Sequence, residues 1–90
     1  MPTVLLTPHL RRFFDLPERI EVDGSTVAEV IQALDVRWPG LAFYIVDEQG
    51  VLRKHVAIWV DGNRVEDEDG LSDAVGTDGT VHVLQALSGG

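Results

Sequence analysis

Between Thr26 and Trp38 the apolar residues Val27, Val30, Ile31, Leu34 and Trp38 recur at the i, i+3, i+4, i+7 spacing of a helix with one apolar side. Thr26 and Glu29 fit a capping box at its start, and Pro39-Gly40 breaks it. A lone helix of this kind has one stripe to bury, and the runs around it read as strands. It therefore has to lie on a sheet, which limits the chain to a layered α+β arrangement.

The strands can be read in order. Thr3 to Thr7 is a first strand ended by Pro8, and Arg19 to Val22 a second, with Ile20 and Val22 on one face and Arg19 and Glu21 on the other. Residues 8–18 between them read as a long hairpin loop, in which Phe13, Phe14 and Leu16 either fold onto the core or form a contact surface. After the helix, Leu41 to Val46 fits a helical turn or a strand. Val51 to Arg53 precedes the stronger run Val56 to Val60, and Asp61-Gly62 predicts a hairpin turn with Asn63 to Val65 returning as an edge strand. Glu66 to Gly70 is an acidic loop and Leu71 to Val75 reads as one helical turn. The last strand, Thr80 to Leu87, is apolar on both faces apart from His82 and Gln85, as a central strand should be. The order β-β-α-β-β-β, with the last strand parallel to the first, leaves few arrangements. The expected architecture is a β-grasp: a mixed sheet of four to five strands with one main helix packed on one face. Residues 1–90 form a single domain, with 88–90 expected as a flexible C-terminal tail.

Composition narrows the chemistry. Fifteen acids against seven bases give a net charge of -8, which repels phosphate backbones and anionic lipid and favours a partner with a basic face. Neither nucleic acid nor membrane is an expected partner. The chain has no cysteine, so disulfides, iron–sulfur clusters and thiolate zinc sites are excluded, and sulfur cannot ride on a side-chain thiol. Met1-Pro2-Thr3 leads into a strand without a signal-like segment, so the expected location is cytoplasmic. His9, His55 and His82 lack metal-ligand spacing. The acidic run from Asp61 fails the EF-hand register, with Val65 at the fifth position, Glu66 where the invariant glycine belongs and Ser72 in place of the closing glutamate. No phosphate-binding glycine motif or nucleophile elbow is present, so the chain carries no visible machinery of an enzyme in its own right.

What stands out is Leu87-Ser88-Gly89-Gly90, following directly on a central strand. A terminal carboxylate becomes an electrophile once adenylated, and an activated acyl carbon can take sulfur to become a thiocarboxylate without any cysteine. Gly89 and Gly90, lacking Cβ atoms, would thread a narrow channel on a partner enzyme.

These features resemble the ubiquitin-like sulfur carriers, a family that includes the small subunit of molybdopterin synthase, the thiamine-pathway carrier and a carrier for cysteine biosynthesis. The resemblance covers essentially the whole chain. It rests on the helix Thr26 to Leu34 with Pro39-Gly40-Leu41, on Val56 to Gly62, on Asp78 to Val81, and on the final Leu87 to Gly90. The segment Asp47 to His55 looks most like the cysteine-pathway carrier, while Gln85 departs from the proline that many relatives have before the tail. The resemblance implies that a ubiquitin-activating-type enzyme, using its own ATP and magnesium, adenylates the Gly90 carboxylate. A sulfur donor then forms the thiocarboxylate, and a recipient synthase takes the sulfur. It also implies no cofactor bound to the chain itself, Ser88 and Gly89 in the threading segment, and partner contacts on the exposed sheet face near the last strand, with Leu87, Phe13 and Phe14 among them. Two alternatives stay open: the small subunit of molybdopterin synthase in a stable heterodimer, and a non-catalytic ubiquitin-like binding module or protein modifier.

Overall fold

The computed structural model describes residues 1–85. Its elements are β1 (Thr3–Leu6), α1 (Pro8–Phe14), β2 (Arg19–Glu21), α2 (Val27–Arg37), α3 (Ala42–Ile45), β3 (Val56–Val60), β4 (Asn63–Arg64) and β5 (Thr80–Gln85). The strands form one five-stranded sheet in the order β2-β1-β5-β3-β4. β5 lies at its centre, parallel to β1 and antiparallel to β3, as its two-sided apolar sequence predicts. The mixed sheet with one main helix on one face is the β-grasp architecture expected from the sequence.

The strands alternate as their sequences require. Val4 and Leu6 of β1, Ile20 of β2, Val56 and Ile58 of β3 and Val81 and Val83 of β5 are buried, and α2 buries Val27, Val30, Ile31 and Leu34. These residues share one hydrophobic cluster. A fully buried aliphatic side chain contributes roughly 1.5–3 kcal/mol, so this layer is what holds helix to sheet. Among the described residues no polar or charged side chain is buried, so the core contains no desolvated acid or base.

The start of α2 follows the capping box with one change. Thr26 Oγ1 accepts the N–H of Glu29 at 3.2 Å, but the Glu29 carboxylate reaches back to the N–H and hydroxyl of Ser25, at 2.8 and 2.9 Å, rather than to Thr26. These bonds, the Ser25 N–H first, hold the Glu29 carboxyl below its ordinary range. Gly24 admits the chain here, because a Cβ would stand 2.8 Å from Val30 Cγ2 and 2.9 Å from the Val30 nitrogen. Asp61 and Gly62 both have positive φ, 50° and 86°, the conformation that Asp-Gly supplies to a two-residue hairpin turn.

Three local expectations change, and one left open is settled. Residues 8–14, expected within a loop, form α1: Pro8 serves as the first helical residue rather than as a terminator, and Leu10 and Phe14 at i and i+4 face the core. Asp15 closes this helix in the left-handed conformation, at φ 57° and ψ 51°. Leu41 to Val46, open between turn and strand, contains the short helix α3. Val51 to Arg53 is not a strand, only the isolated bridge Leu52–Val46. Leu71 to Val75 is not a helical turn. Leu71 has φ 53°, its side chain is buried, and its carbonyl and that of Asp73 receive the N–H groups of Ala28 and Val27. Tertiary pairing with the start of α2 outweighs a weak local preference.

Candidate functional site

Because β1 and β5 are parallel, their C-terminal ends lie at the same end of the sheet. Thr7 donates to the Val83 carbonyl at 3.1 Å as the chain turns into α1, and Gln85 pairs with Val56, the first residue of β3. Leu87, Ser88, Gly89 and Gly90 follow within five residues of Gln85 and lie outside the described residues. Five residues span at most about 18 Å, so whatever works on Gly90 has to come within that distance of this end of the sheet.

Two surfaces border it. The first is the sheet face that α2 leaves uncovered. Strand register sets Leu5, His82 and Trp59 side by side in one row across β1, β5 and β3, with Arg19 and Arg64 at its edges. Leu84, 47 % exposed, pairs with Ala57 one step nearer the tail end. Trp59 Nε1 is shielded from solvent without an acceptor among the described residues. This face is apolar in the middle and cationic at its margins.

The second surface is aromatic and is built by α1 and α3. Phe13 and Phe14 stack on each other at 5.3 Å and on Tyr44 at 5.1 and 5.3 Å. Phe13 is 62 % exposed, whereas Phe14 is half-buried against the core. The two phenylalanines singled out from sequence therefore come together, Phe13 exposed and Phe14 packed between it and the core. Phe43, 59 % exposed, has the Arg53 guanidinium over its ring at 5.1 Å, and Arg53 Nε donates to its carbonyl at 2.7 Å. Phe43, Tyr44 and Arg53 were not among the sequence candidates. The ambiguity of Leu41 to Val46 concealed them, since a helix presents Phe43 and Tyr44 outward while a strand would bury one of them.

Besides Glu29, the carboxylates with altered titration are Asp67 and Asp73, in the acidic loop and the segment after it. Asp67 accepts from the Ser72 hydroxyl at 2.6 Å and from the N–H groups of Asp69, Gly70 and Ser72 at 3.0–3.2 Å. Led by the Ser72 hydroxyl, these bonds lower its pKa to about 2. Asp73 is lowered by the N–H groups of Glu66 and Asp67, at 3.0 and 2.9 Å. These acids close a loop, and among the described residues no group of His, Asp or Glu side chains is arranged to hold a metal ion.

The ThiS family model matches residues 4–90, through the last glycine. This chain belongs to the ThiS family of ubiquitin-like sulfur carriers. It is 31 % identical to small archaeal modifier protein 3 of Haloferax volcanii over 68 residues, 76 % of this chain and 73 % of that protein. A chain of the Amycolatopsis orientalis BexX/CysO complex superposes with a TM-score of 0.88 at 28 % identity over all of both chains. Mycobacterium tuberculosis CysO gives 0.85 at 26 %, over 97 % of this chain and all of its own. Members of this family are small carriers and modifiers rather than catalysts. No helix among the described residues is long and apolar enough to cross a membrane.

Proposed function

We propose that this chain is a sulfur carrier whose working group is the α-carboxylate of Gly90. The observation that carries the reading is the position of β5. The central strand is hydrogen-bonded on both sides and precedes Gly89-Gly90 in the sequence by a few residues, in a family whose match runs through those residues. A strand held from both sides aims the segment after it, and two residues without Cβ keep that segment narrow.

In the proposed cycle a ubiquitin-activating-type enzyme binds ATP and magnesium. A Gly90 carboxylate oxygen attacks the α-phosphorus, releasing pyrophosphate and leaving an acyl-adenylate. The sulfur of a hydrosulfide-equivalent donor attacks the acyl carbon, and the C–O bond to AMP breaks. The products are AMP and the thiocarboxylate, with the donor's proton released to solvent. A recipient synthase then takes the sulfur in a pathway of the cysteine, molybdopterin or thiamine type. Ser88 and Gly89 thread the partner's channel, Leu87 contacts the partner, and the uncovered sheet face that carries Leu84 docks against the partner's body.

The test is the intact mass of the chain after incubation with ATP, the activating enzyme of its own organism and a sulfur donor. The expected result is a gain matching one oxygen-for-sulfur exchange, absent when Gly90 is deleted. No gain, with the enzyme shown competent on another carrier, rejects the reading. The similarity to a protein named as a modifier favours a second reading, in which the activated Gly90 carboxylate is passed to a lysine amine as an isopeptide. Conjugates that disappear on deletion of Gly90, without any thiocarboxylate, would select it.

A further inference from the structure

Bases gather at the end of the sheet that precedes Gly90, alongside the carboxylates Asp15 and Glu18 that follow α1 and Asp47 and Glu48 that follow α3. Four of the chain's seven lysines and arginines, Arg11, Arg12, Arg53 and Lys54, lie on α1 or on the segment entering β3, with His55 beside them. Arg53, His55, Gly40, Phe43 and Tyr44 line a shallow open cleft of ≈ 550 Å³ that has no carboxylate in its walls. Asp35, close by in the fold, has its carboxylate occupied by the N–H groups of Gly40 and Ala42 at 3.0 and 3.1 Å. Arg53 is fixed by its Nε bond and its stacking on Phe43, and Nε is its only hydrogen-bonded nitrogen among the described residues. The guanidinium fork is thus held in place with its outer donors uncommitted, the state in which it recognises a carboxylate best. Lys54 and His55 are exposed.

The cleft is also close to the tail. His55 precedes Val56, which pairs with Gln85. One Cα step plus one strand spacing puts His55 within about 10 Å of Gln85. An enzyme body that closes on Gly90, at most about 18 Å from Gln85, reaches over this cleft.

The geometry points to a docking socket here for the enzyme that adenylates Gly90. Its occupant is a segment of that enzyme in which a carboxylate stands beside an apolar side chain, the former on Arg53, Lys54 and His55 and the latter against Phe43 and Tyr44. This rests on the Gly90 reading and specifies its partner. Net charge alone favours a basic partner surface, but the bases lining and bordering this cleft favour an acidic segment within it.

The test is steady-state activation by the adenylating enzyme of the same organism, followed as pyrophosphate release with the full chain as the varied substrate. Two variants alter exposed residues of the socket, Phe43→Ala and the double change Lys54→Glu with His55→Glu. A third, Asp23→Lys with Asp78→Lys, alters exposed residues at the opposite end, after β2 and before β5. Thermal melts check that each remains folded. The expected result is a KM raised about tenfold or more in the charge-reversed socket and several-fold in Phe43→Ala, with kcat and the opposite-end variant within about twofold of the natural chain. Socket variants with an unchanged KM, while the natural chain is activated, overturn the inference and leave the Gly90 reading intact. A natural chain that a competent enzyme does not activate overturns both.

Discussion

Between the β3 turn and the start of β5, the stretch from Asp61 to Gly79 carries seven carboxylates (Asp61, Glu66, Asp67, Glu68, Asp69, Asp73 and Asp78) against one arginine, Arg64. Three of them are built into the backbone: Asp67 and Asp73 close the loop, and Asp61 Oδ1 accepts the Thr80 N–H at 2.9 Å as β5 begins. The Arg64–Glu68 pair, 3.7 Å apart with both side chains about half exposed, adds little, as surface ion pairs do. At the tail end the bases leave their donors open and the aromatics pack on one another. The acidic stretch uses its charge to hold a loop, whereas at the tail end Arg53 keeps its outer donors unbonded among the described residues. The same net charge of -8 therefore covers one region whose carboxylates bind its own backbone and another whose bases stand exposed.

The comparison can be broken or sharpened by substitution. The largest effect is expected from deleting Gly90. It should abolish sulfur loading in the intact-mass assay while leaving the melting temperature unchanged, because the buried core described above ends at Val83. A melting temperature that falls with the deletion would show that the tail end also has a role in stability. Next comes Ile58→Ala, a fully buried side chain between the two regions, expected to cost about 2–5 kcal/mol in denaturant unfolding. If function depends only on the tail end, sulfur loading per folded molecule should survive it.

Asp67→Asn should act at the acidic stretch alone. The folded-state pKa of Asp67, about 2, lies below its ordinary 3.8. Its contribution to stability is thus fully present above pH 3.8 and is lost as pH falls toward 2. The variant should melt a few degrees lower near neutrality and lose less stability than the natural chain over that acid window, with its KM for activation unaltered. A pH titration of the melting temperature checks this, and parallel curves would remove Asp67 from the account. Asp73, lowered by backbone donors, should add to the same acid sensitivity. The smallest effect belongs to Thr26→Ala, which removes the cap of α2 far from the socket. About 1 kcal/mol of stability should go, measurable by chemical denaturation, and activation kinetics should not change.

The sequence by itself was enough for the helix at 27–37, the Asp61-Gly62 turn, the central last strand and the β-grasp order, because each depends on periodicity or turn chemistry that a few neighbouring residues carry. The glycine pair was visible as a motif in the sequence, and its role rests on the reading proposed above. Tertiary structure decided the rest. Pro8 can end a strand or begin a helix, and only burial of Leu10 and Phe14 against the sheet selected the helix. Leu71 took a left-handed conformation because its carbonyl was needed at the start of α2. Phe13 and Phe14 were visible as apolar residues in a supposed loop, but not as halves of one stack, because their partner Tyr44 is thirty residues away along the chain. The basic socket was hidden for the same reason. Composition sums charge over the whole molecule, whereas recognition depends on which charges the fold brings together and which it leaves unpaired.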